Sequence, residues 1–89
     1  MEVYLDGRAL ESREALHQAL SALLPFPDCY GRNLDALHDC LTDLSDRVHL
    51  TVLHAQALED SLGDYCRRFH RVLSDSAQEN ERFTVTWQE

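Results

Sequence analysis

Lysine is absent from this chain of 89 residues: all eight bases are arginine, and they face sixteen acids for a formal net charge of −8. A field of that sign repels nucleic acid and draws basic partners inward, which argues against direct binding of RNA or DNA. Long apolar runs are also missing. The longest are a few residues, too short for a membrane span or for the apolar core of a secretory signal, so a cytoplasmic chain with no membrane partner is expected. Cysteine is scarce and odd in number. Cys29, Cys40 and Cys66 form no C-x-x-C pair, which argues against a disulfide framework or zinc knuckle and for small buried thiols in a reducing compartment. There is no serine elbow, no glycine-rich phosphate loop and no recognised zinc signature, so no catalytic residue, metal or cofactor is expected.

What is there suits one small globular domain spanning 1–89. Hydrophobic residues make up 44% and charged residues 27% of the sequence, enough for one two-layer core without disulfides or metal. Val3-Tyr4-Leu5 before Asp6-Gly7 reads as a strand ending in a turn. Ser12 is a candidate cap for a helix whose Leu16, Leu20, Leu23 and Leu24 form an apolar stripe, stopped by Pro25-Phe26-Pro27. After the loop Tyr30-Gly31-Arg32, Asn33 can cap a second helix with Leu34, Leu37 and Leu41 inward. His49–Leu53 is a β-rich run, Ala55–Leu62 a short helical stretch, and Tyr65, Phe69, Val72 and Leu73 mark a longer amphipathic helix. Phe83–Trp87 alternates like a half-buried final strand. Strands separated by helices give an α/β expectation: a small three-stranded parallel sheet flanked by helices, with the strand order left open. His17, His49, His54 and His70 have no constellation around them, and core-edge or surface roles suffice.

The second helix carries a polar stripe. With Asp35 in front, Asp39 and Thr42 fall within about 40° of it at 3.6 residues per turn, while the leucines lie on another face and His38 on the boundary. Five acids, Asp28, Asp35, Asp39, Asp43 and Asp46, occupy residues 28–46 with Arg32 as the only arginine. Asp35 sits in the first turn, where the helix dipole favours it. Asp39 has less local justification, because like charges at i,i+4 cost about 0.2–0.5 kcal/mol and aspartate is a poor helix-interior residue. Two readings stand on the pattern alone: a solvated face, or a site for a basic partner.

The order of residues bears on that choice. Tyr30-Gly31-x-Asn33-Leu34-Asp35-Ala36-Leu37-x-Asp39-Cys40-Leu41-Thr42 closely resembles the central motif of the barstar family of ribonuclease inhibitors, with Gly7, Leu16-His17-Gln18, Leu20 and Pro27 in step. The resemblance is strong over the first half of the chain. Beyond residue 43 it continues only through a one-residue gap, after which Asp75, Glu79 and the final strand align. It implies a barstar-like fold and an inhibitor, not an enzyme, free as a monomer, whose second helix and preceding loop cover the active site of a basic secreted ribonuclease of barnase type or a related toxin. Asp39 matches the acid that takes a substrate-phosphate position, and Asp35 a second acid of the same contact. Thr42 is implied at the patch edge; Gly31, Asn33 and Leu34 match loop-shaping or backbone contacts, and Asp75 and Glu79 the rim. Cys29, His38 and Leu44 stand at contact positions that are aromatic in the family, so the electrostatic half of the interface survives better than the apolar half.

Two other functions are weighed against this. One is an interaction or immunity protein of the same fold with a non-ribonuclease partner. The other is a metal-dependent enzyme using His38 with Asp35 or Asp39.

Overall fold

A computed structural model describes all residues, 1–89. Strand β1 (Glu2–Asp6) leads through a one-turn 3₁₀ segment (Gly7–Ala9) to helix α1 (Arg13–Leu23) and then α2 (Leu34–Thr42). Strand β2 (Val48–Leu53) is followed by α3 (Ala55–Leu62), α4 (Asp64–Glu79) and β3 (Phe83–Trp87). The three strands form one parallel sheet in the order β1-β2-β3. Each crossover therefore carries two helices, and the strand order left open by the sequence is simply sequential.

Alternation along the strands decides which side the helices cover. In β1, Val3 and Leu5 are buried while Glu2 and Tyr4 are exposed. Val3 is in register with Leu50, Leu5 with Val52, and Val48 with Phe83, so these side chains line up as one apolar face. Nineteen residues make a single core, to which every helix contributes. The opposite face is polar: His49 bonds the Thr84 hydroxyl at 2.6 Å and the Thr86 hydroxyl at 3.0 Å.

Local signals place the helix starts. Ser12 Oγ accepts from the Ala15 N–H at 3.1 Å, and Asn33 Oδ1 from the Ala36 N–H at 2.7 Å, so both expected caps are present. Gly7 is required by close approach, since a Cβ there would lie 2.6 Å from the His54 carbonyl oxygen. Gly63, at φ +57°, makes the sharp joint between α3 and α4.

Three expectations need correction. Leu23 is exposed, because it ends α1 on the outer side and Leu24, just past the helix, takes the inward place. Cys29 is exposed and Cys40 only half-buried, so the buried-thiol reading holds for Cys66 alone. His17 is no core-edge or surface residue: it is buried and hydrogen-bonded at both ring nitrogens. No helix is long and apolar enough to cross a membrane.

Candidate partner-binding site

Helix α2 is the element on which the expected site rests, and its two faces have opposite fates. Leu37 and Leu41 are wholly buried, and Leu34 is half-buried against the same core. Asp35 and Asp39 point outward, with the Asp39 side chain 85% exposed. Thr42, half-buried, donates its hydroxyl to the His38 carbonyl at 2.9 Å and is also close to the Asp39 carbonyl, so its proton is engaged by its own helix and its lone pairs face the patch. Asp43 caps the C-terminus. A carboxylate there opposes the helix dipole, so it is not placed for local stability.

Two buried polar clusters hold the ends of this helix. At the entrance, the His17 ring lies between two tyrosines, with Nδ1 2.6 Å from the Tyr30 hydroxyl and Nε2 2.7 Å from that of Tyr65. A neutral imidazole offers one donor and one acceptor, so it satisfies both hydroxyls. Burial lowers the His17 pKa and favours that neutral form; burial also raises the pKa of Tyr30 and of Tyr65. Tyr30 belongs to the loop before α2, which is thus tied to α1 and α4. At the exit, buried Asn80 donates to the carbonyls of Leu41 at 2.9 Å and Leu44 at 3.2 Å. The Leu41 carbonyl lies in the last turn of α2, where intrahelical donors run out and the Leu44 N–H reaches it only at 3.5 Å; the Leu44 carbonyl lies just past the helix. Neither His17 nor Asn80 was singled out as a site residue. Both act across long sequence separations, which helical periodicity does not record.

The loop before α2 presents Cys29, Gly31, Arg32 and Asn33, all exposed. Arg32 adopts a left-handed conformation, φ 54°, at a cost that the neighbouring cap and Tyr30 anchor must offset. A Cβ on Gly31 would sit 3.1 Å from that of Ala36, so the glycine lets the loop fold closely over the first turn.

His38 is the basic side chain nearest Asp39 on α2. Its Nε2 lies 2.6 Å from Glu79 Oε2 on α4, and its Nδ1 3.8 Å from Asp39 Oδ1. The Glu79 hydrogen bond is the main cause raising the His38 pKa, with Asp39 a lesser one. Asp39 therefore has one weak local neighbour, whereas Glu79 is brought to the patch and held there. Asp75 is exposed one turn earlier on α4 and has no ion-pair partner. No three histidine, cysteine or acidic groups converge closely enough to share a metal ion.

Beside α2, Asp39, Thr42, Asp43 and Asp46 border an open cleft of about 470 Å³. No basic residue lines it. Leu44 helps to line the cleft but is buried and offers it little surface. Such a rigid, acid-lined ridge and cleft can accept forked hydrogen bonds from guanidinium groups.

Comparison with known proteins identifies the family. Residues 1–88 match the family described as "Barstar (barnase inhibitor)". The chain is also 40% identical over 79 residues to the Bacillus subtilis protein named "Putative ribonuclease inhibitor YrdF", covering 88% of this chain and 87% of that one. The chain belongs to the barstar family.

Proposed function

We propose that this barstar-family protein inhibits a secreted ribonuclease of barnase type, or a related toxin nuclease, in the cytoplasm, by seating α2 and the loop before it in the enzyme's active site. The observation that carries the reading is the contrast within α2: a helix clamped by buried leucines, yet presenting Asp35 and an 85% exposed Asp39 side chain with no arginine paired to either. A cleft that binds RNA phosphates must hold cations and hydrogen-bond donors, and a carboxylate on a short rigid helix meets them with little ordering cost. Inhibition on this account is imitation of a phosphate and involves no chemistry.

The contact extends from Cys29, Gly31, Asn33 and Leu34 through Asp35, His38, Asp39 and Thr42 to a rim at Asp75 and Glu79. The free protein is a monomer. Cys29 and His38, with buried Leu44, leave the patch short of large aromatic anchors, which favours a client other than barnase within the same enzyme class. If no ribonuclease is bound, the same observation supports an immunity protein with another basic partner.

The test is RNA cleavage by a barnase-type ribonuclease titrated with the wild type and with Asp39→Ala at two salt concentrations. Stoichiometric inhibition by the wild type, weakened by salt and lost in the variant, is expected. Equal inhibition by both proteins, or by neither, contradicts the plug.

A further inference from the structure

Helix α2 separates two clefts of opposite character. The acidic one lies along its later residues; the other, of about 520 Å³, opens at its first turn. Arg13 from α1, Arg32 from the loop before α2 and Arg68 from α4 line this second cleft. None of the three is ion-paired, although the chain holds twice as many acids as bases and Arg8 and Arg67 both have carboxylate partners. The Arg13 and Arg68 guanidinium carbons lie 4.4 and 5.2 Å from the centroid of the same Tyr65 ring. Two like charges are thus held against one aromatic ring, whose hydroxyl is fixed by His17. Guanidiniums held by a ring and by no carboxylate keep their N–H forks free, the geometry that suits planar oxyanions.

We propose that this arginine cleft is a second contact site, taking a carboxylate from an acidic side chain of the protein partner while the acidic part of α2 meets that partner's cations. The inference rests on the inhibitor reading for the partner's presence, but not for the cleft's ligand. Glu14 and Asp35 also line the cleft, and in a chain of net charge −8 they disfavour a dianion such as phosphate relative to a single carboxylate. The consequence is orientation. A partner must present basic groups to one end of α2 and an acid to the other, so the pair docks one way round and like-charge mismatch rejects other registers.

The experiment uses the free protein. A capped Gly-Gly-Glu-Gly peptide, which carries one carboxylate, and, separately, inorganic phosphate are titrated at constant ionic strength while arginine Nε–H resonances are followed by NMR. Saturable shifts at Arg13, Arg32 and Arg68 with the peptide are expected. Binding should weaken by about tenfold or more in Arg32→Gln or Arg68→Gln, as for loss of a charge-assisted hydrogen bond, and remain in Asp39→Ala. Absence of saturation, tighter binding of phosphate, or unchanged affinity in both arginine variants overturns the proposal. No nuclease enters the titration, so failure here is distinguishable from failure of the active-site plug.

Discussion

The two faces of α2 are written in the same nine residues and follow opposite rules. On one, Leu37 and Leu41 have no solvent exposure and their worth is folding free energy. On the other, Asp35 and Asp39 make no contact that stabilises the chain by much, and the like-charged spacing costs a little. One face explains why the helix stays where it is; the other has no explanation inside the molecule. That asymmetry separates a scaffold from a site, and it can be broken from either side.

Cutting the scaffold face has the largest expected effect on stability. Leu37→Ala should cost about 2–5 kcal/mol in chemical denaturation, because a wholly buried leucine loses both transfer free energy and packing. Cutting the site face should leave unfolding within about 0.5 kcal/mol of wild type, as for an exposed substitution. The same Asp39→Ala change should weaken ribonuclease binding by about 2 kcal/mol or more, roughly thirtyfold, in a calorimetric titration. A variant that unfolds, or that binds as before, erases the distinction.

Asn80 sharpens the comparison because it belongs to neither face yet fixes the helix exit. Asn80→Ala removes the side-chain amide that donates to the Leu41 and Leu44 carbonyls and should cost about 1–3 kcal/mol. Restored stability in Asn80→Asp would show that the effect lies elsewhere, since a carboxylate cannot donate to those carbonyls.

The smallest effects are those of pH. Burial lowers the His17 pKa, so its contribution is present above the ordinary histidine value near 6.5 and is lost as pH falls below it, when the unfolded chain takes up a proton first. His38 has the opposite sign. Its raised pKa gives a contribution present below about 6.5 and lost as pH rises through the folded value, limited by exposure to under about 1 kcal/mol. Denaturation curves should therefore show the histidine terms peaking near 6.5. His38→Gln should flatten the alkaline side alone; loss of the acid side in that variant would assign the titration wrongly.

Much of this was legible in the sequence, and the limits have a physical cause. Apolar periodicity, two helix caps and the Pro25-Phe26-Pro27 stop are local signals, and they located the three strands and the starts of the four α-helices, but not the end of α4, which runs six residues past Leu73 to Glu79. The same 3.6-residue geometry put the leucines inward and the acids outward. What escaped depends on residues far apart in the chain: His17 with Tyr65, Asn80 with Leu41, His38 with Glu79. A histidine between tyrosines leaves no periodic trace. The His38 ring, 3.8 Å from Asp39, gives that acid a weak basic neighbour that the helical wheel did not show, though it is shared with the closer Glu79. Leu23 shows how helical spacing misleads at a helix end, where the chain leaves the helix and the next residue, Leu24, turns inward instead.

The central claim is that the carboxylates of α2 are free in this protein and covered by a ribonuclease. Carbodiimide labelling of acidic side chains, read by mass spectrometry with and without a saturating barnase-type ribonuclease, tests it directly. Asp35 and Asp39 should label readily in the free chain and be protected in the complex, while exposed Glu2 and Glu11 label equally in both. Undiminished labelling of Asp39 in the presence of the enzyme, or protection confined to Glu2 and Glu11, would contradict the account.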